Sequence, residues 1–112
     1  MERTIGNLAA MKGKVFVRLS TKDEAIRFKQ MAEDEGFVFE DGVKPTARTC
    51  ARIMAVNSDS TISYVGSIGA MAFQSGVKVI SGEKLIRVDF EKYVSGDKHY
   101  LCRMKDILPH KD

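Results

Sequence analysis

Residues 14–39 read KVFVRLSTKDEAIRFKQMAEDEGFVF, and this stretch decides the fold. After Gly13, KVFVRL alternates apolar and polar positions, the period of a half-buried strand. Ser20 and Thr21 each offer an N-cap oxygen, with Asp23 and Glu24 three residues on from them, so a capping box is available in either register. Ile26, Phe28, Met31 and Ala32 follow at mostly helical spacing, and Gly36 stands where a helix C-terminus favours glycine. The spacing predicts a main helix over about 21–35 that buries its Ile26/Phe28/Met31 side and turns its acidic end, AEDEG, to water. Phe37-Val38-Phe39 is then a short strand, turned by Glu40-Asp41-Gly42.

Working outward, residues 1–12 form either an N-terminal arm or one short amphipathic turn carrying Ile5, Leu8, Ala9 and Met11. Pro45 cannot continue a central strand, so Thr46 either caps one or two helical turns through 47–52 or belongs to a loop. IMAV at 53–56 is a buried strand, NSDS a turn, and TISYV at 61–65 alternates again, which makes 53–65 a β-hairpin. Strands are expected at 77–80, 85–88 and 99–104, with Asp89 capping a short FEKYV helix and a tail at 108–112. Together these elements predict a single α+β domain over 1–112. Its mostly antiparallel sheet carries the main helix and one or two short helices on one side.

At 112 residues the chain can bury one core without disulfides or metal. Cys50 and Cys102 belong to no CxxC or Cys/His cluster, which fits reduced thiols in a cytoplasmic protein. No apolar run approaches the roughly 18 residues of a membrane span, and the N-terminus lacks a signal-peptide core. The net charge of +3, without a Lys/Arg stripe, argues against strong DNA binding. Charge is unevenly placed, however. Seven acids stand between positions 23 and 41, whereas 42–58 holds Lys44, Arg48 and Arg52 with no acid.

Catalytic sets are poorly supported. His99 and His110 have no local partnership with Cys50 or Cys102, and no metal-ligand spacing or cofactor motif occurs. Anion binding is better supported. If 47–52 is helical, Arg48 and Arg52 share a face and present two guanidinium forks to a phosphate, with Lys44 and Thr46 adding donors. The plainer alternative is that the arginines solvate a surface or pair with Glu40 and Asp41. GSIGAMAFQSG at 66–76 fits neither a Walker loop nor a dinucleotide loop, and reads as a glycine-kinked bend or strand. Its Ser67 and Gly69 nonetheless permit close approach to the backbone, and Tyr64 and Phe73 flank it as base-stacking rings. Arg87 and Arg103 would complete such a pocket from another strand or subunit.

The segments GFVFEDGVKPT at 36–46, TISYVG at 61–66 and IRVDFEKYVSG at 86–96 resemble small proteins encoded in phages and prophages of Firmicutes. The functional analogy is to the Thoeris anti-defence sponge proteins. That resemblance implies an oligomeric, non-enzymatic protein in the bacterial host's cytoplasm that sequesters a cyclic ADP-ribose-like signal or cyclic oligonucleotide. The alternative is an anti-CRISPR-type inhibitor that contacts a host defence protein.

Overall fold

The computed structural model describes residues 3–80 and 82–102. The strand predicted at KVFVRL is β1 (Lys14–Arg18), and it runs in the middle of the sheet. It pairs antiparallel with β3 (Ile53–Val56) and parallel with β6 (Glu83–Asp89). Beyond β3 lie β4 (Thr61–Tyr64) and then β2 (Val38–Phe39); beyond β6 lies β5 (Val79–Ile80). The order is β2-β4-β3-β1-β6-β5, with three antiparallel and two parallel pairings among the described residues. The expected α+β class, the mostly antiparallel sheet and the 53–65 hairpin are all present.

The pleat of β1 sends alternate side chains to opposite faces. Val15 and Val17 join Met54, Val56 and Val88 on one face, and Phe16 joins Ile53, Ala55 and Leu85 on the other. Three helices cover the first face: α1 (Ile5–Ala9), α2 (Lys22–Asp34) and α4 (Phe90–Val94). They contribute Ile5, Leu8, Phe28, Ala32, Phe90 and Tyr93 to its core. The second face is covered by α3 (Gly66–Gln74), through Phe73. Helices therefore lie on both faces rather than on one, because the stretch 66–76, read as a bend or kinked strand, is a helix.

The capping box closes in the Thr21/Glu24 register. The Glu24 amide donates to Thr21 Oγ1 at 3.2 Å, and the Ser20 amide donates to Glu24 Oε1 at 3.3 Å. The buried stripe of α2 is Phe28 and Ala32, with Met31 partly buried, while Ile26 is 55% exposed. Residues two positions apart in a helix are about 200° apart around the axis, so once Phe28 faces the sheet Ile26 must face away. The acidic end of α2 is also engaged rather than simply solvated. Glu35 accepts from the amides of Ile5 and Gly6 at 2.9 and 2.8 Å, satisfying the first turn of α1. Of the two readings of 1–12, residues 5–9 form the short helix.

Pro45–Ala47 is a single 3₁₀ turn and the chain is extended again at Arg48, so 47–52 is not helical. Asp89 caps α4 as expected, accepting from the Lys92 amide at 3.2 Å. The strand expected at 99–104 is reduced to one bridge, Val88 to Leu101, flanked by hydrogen bonds from Asp89 to Tyr100 and from Cys102 to Arg87. Its last two positions, Arg103 and Met104, lie outside the described residues, as do His110 and the 108–112 tail.

The phase of α2 gives a direct test. Phe28→Ala is expected to cost about 3–5 kcal/mol of unfolding free energy, and Ile26→Ser less than about 0.5 kcal/mol. Urea denaturation of both variants checks this, and equal losses would mean that the helix is rotated.

Candidate functional site

The loop that sequence patterning put forward for anion binding is electrostatically closed on itself. Because Arg48 is extended, it does not share a helix face with Arg52. It reaches back across the β2 turn and grips Asp41 through both Nη atoms, at 3.1 and 2.5 Å. Its guanidinium lies 5.1 Å from the centre of the Phe39 ring, which stacks on Tyr64 at 5.5 Å. The Tyr64 hydroxyl donates to the Thr49 carbonyl at 2.6 Å. Thr46 donates its hydroxyl to Glu33 at 2.6 Å, and the exposed Lys44 lies close enough to that carboxylate to add a Coulombic pull. The Thr46 hydrogen bonds hold the Glu33 carboxyl below its ordinary pKa, and the Arg48 hydrogen bond does the same for Asp41. Lys44, Thr46, Arg48 and Tyr64 thus knit the loop to α2 and to the sheet edge. The plainer alternative, pairing of Arg48 with Asp41, is the one the structure contains.

The residues proposed in 66–76 are also reassigned. Gly66 enters α3 at φ +71°, which lets the chain leave β4 sharply. Gly69 is small for packing, since a Cβ there would stand 2.6 Å from Val65 Cβ and 3.4 Å from the Phe16 ring. Phe73 is a core residue and offers no free ring face, while Ser67 is exposed on the first turn of α3. Arg87 donates from Nη1 to the Val77 carbonyl at 2.5 Å and so ties the exit of α3 to β6. Arg103 lies outside the described residues.

One predicted residue keeps an outward role. Arg52 is exposed, and its carbonyl accepts from the Leu19 amide at 2.6 Å, which fixes its backbone to the end of β1. Its side chain borders a cavity of about 420 Å³ between the first turns of α2 and residues 49–52. Lys22, Lys29 and Arg52 line this cavity together with Ser20 and Thr21, and its lining contains no carboxylate among the described residues. Lys29 Nζ is held by the Arg48 carbonyl at 3.0 Å. A second cavity of about 190 Å³ shares Leu19, Ser20 and Arg52 with the first and ends at Phe73 and Gln74. Arg52 therefore does meet the 66–76 stretch, whereas Arg48 does not line either cavity.

Lys22, Lys29 and Ser20 were missed by sequence reading. Lys22 and Lys29 are seven apart on α2 and fall on one face, which periodicity could have revealed. Their convergence with Arg52 depends on tertiary packing. A larger groove of about 570 Å³ runs along β6 past Val79, Leu85 and Leu101. It borders Cys102, the last described residue, whereas the wall of the Arg52 cavity is described throughout. No helix among the described residues is long and apolar enough to cross a membrane. No family model, curated protein or solved structure matches the chain.

Cys50 stands in the wall of the Arg52 cavity, and burial pushes its thiol up to about 11 against the opposing pull of Lys29. At neutral pH the thiolate is then at least about a hundredfold rarer than in free cysteine. In a Cys102→Ser background, iodoacetamide should modify Cys50 at about one-hundredth of the free-cysteine rate, the rate rising steadily into the alkaline range. Modification at the free-cysteine rate would contradict the burial of this wall.

Proposed function

We propose that the protein is a non-enzymatic binder that sequesters a small phosphorylated nucleotide, with the phosphates held between Lys22, Lys29 and Arg52. The observation that carries this reading is the cavity lined by three cations and by no described carboxylate. Like charges gathered at a concave surface raise the local concentration of anions. The Arg52 fork can take a phosphate bidentately, and the two ammonium groups act as point charges beside it. The α2 N-terminus contributes less, because Thr21 already takes the Glu24 amide and the Glu24 carboxylate offsets the positive end of the helix dipole. Phosphate binding therefore falls to side chains. The raised pKa of Cys50 makes it a poor nucleophile and favours holding over chemistry. By the functional analogy of small phage-encoded proteins to the Thoeris anti-defence sponges, the biological use is sequestration of an immune signal.

Calorimetry against a panel of cyclic and linear nucleotides tests the site. Arg52→Ala and Lys22→Ala should each weaken the bound nucleotide by about tenfold or more, while Arg48→Ala should change its affinity by less than about twofold. Binding should also weaken as salt is added, and denaturation should release the ligand chemically unaltered. Absence of binding across the panel, or an Arg52→Ala variant that binds normally, would overturn the reading.

A separate observation favours self-association. Helix α3 carries no charged residue, yet Ile68 and Met71 are 79% and 67% exposed on its outer side. A helix apolar on both sides is normally covered. We infer that a second copy of the chain covers it. The whole of 60–77 lacks charge, so two copies meet there without repulsion, while a charged partner would find no ion pair. Sedimentation velocity should show a dimer at micromolar protein that the Ile68→Ser, Met71→Ser variant loses; a monomeric parent protein would remove this inference.

A further inference from the structure

We propose that the smaller cavity beside Arg52 is a nucleobase subsite for the same ligand, and that Gln74 sets its preference for bases carrying an exocyclic amine. This rests on the larger cavity being the phosphate site. The two cavities share Leu19, Ser20 and Arg52, so a molecule can extend from one into the other past the Arg52 side chain.

Their chemistry differs in a way that orients such a molecule. The cationic residues of the larger cavity have no carboxylate beside them in its lining. In the smaller one, Arg18 is held by Asp89 at 2.7 Å with both side chains largely buried, so that guanidinium is already neutralised. The remaining wall is half apolar, from the buried Leu19, Ile53 and Phe73, and half polar, from Ser20, Arg52 and Gln74. A recess of mixed wall whose one unneutralised cation is the shared Arg52, next to one with three cations, suits a ligand with a flat aromatic end and an anionic end.

Position on α3 adds a direction. Gln74 is the last residue of that helix, where the macrodipole is negative. This end disfavours a phosphate and favours an N–H donor. The exposed Gln74 carboxamide supplies both an acceptor and a donor, the pair that glutamine uses to read the amine and ring nitrogen of adenine. Uracil presents carbonyl oxygen where adenine presents the amine, and it faces the negative helix end unfavourably.

The test uses the intact protein with pyrophosphate, ADP, UDP and adenosine as calorimetric probes. ADP should bind about tenfold or more tighter than pyrophosphate, and about fivefold or more tighter than UDP, with adenosine the weakest. Gln74→Leu should erase the ADP preference over UDP. In NMR spectra of the parent protein, ADP but not pyrophosphate should shift the Gln74 side-chain amide signals, a measurement that needs no variant. ADP binding no tighter than pyrophosphate would overturn the subsite while leaving the phosphate site standing. An ADP preference that survives Gln74→Leu, with unmoved Gln74 signals, would overturn the role of Gln74. Failure of every probe, pyrophosphate included, would instead remove the phosphate site and the subsite with it.

Discussion

The burial of β1 on both of its faces is the constraint from which the rest of the architecture follows. Val15, Phe16 and Val17 are consecutive and all buried, so the strand demands cover above and below. One side is met by α1, α2 and α4. The other side exposes Phe16, Ile53, Ala55 and Leu85 unless something lies over them, and 66–76 is the segment that does. Burying a large apolar side chain contributes about 1.5–3 kcal/mol, and Phe16, Phe73 and Leu85 are each buried at this contact. A glycine inside a helix costs only about 1 kcal/mol relative to alanine. Burial outweighs propensity, and the glycine-rich stretch becomes helical.

The same contact explains why Gly69 is glycine. Alanine is the better helix former, but its Cβ would press into Val65 and against the Phe16 ring. Of the three glycines in this segment, Gly69 records the close packing of a helix on a sheet, and Gly66 serves the turn into the helix. Gly76, at φ +73° two residues beyond the helix, is a left-handed stop of the usual kind. That stop, with Ala70, Met71 and Ala72 ahead of it, was the helix signal available in the sequence. Three glycines and the absence of polar periodicity concealed it.

What could be read from the chain was what neighbouring residues decide. The β1 alternation, the Thr21/Glu24 box, the 53–65 hairpin and the Asp89 cap each depend on contacts within a few positions. What could not be read depends on partners distant in the chain. Nothing near Ile26 says which side of α2 meets the sheet, and nothing near Glu35 says that it will cap a helix starting at Ile5. Arg48 and Arg52 looked equivalent because both stand in an acid-free stretch. Their fates diverge because the β2 turn brings Asp41 and Phe39 under Arg48, whereas Arg52 is carried to the end of β1. Of the residues proposed for anion binding in that stretch, only Arg52 lines the cavity that Lys22 and Lys29 share.

That remaining arginine is held in a way that matters for binding. A flexible cation gives up side-chain and backbone freedom when it grips a ligand, at about 0.5–1.5 kcal/mol for each side chain immobilised. Here much of the backbone ordering is complete beforehand. The carbonyl of Arg52 accepts from the Leu19 amide, Lys22 follows the N-cap residue Thr21, and Lys29 is already tethered to the Arg48 carbonyl. The tether on Lys29 is a main-chain carbonyl, so it does not require the Arg48 side chain that grips Asp41. An arginine whose guanidinium is taken by a carboxylate still lends its main-chain carbonyl to a lysine of the proposed anion site.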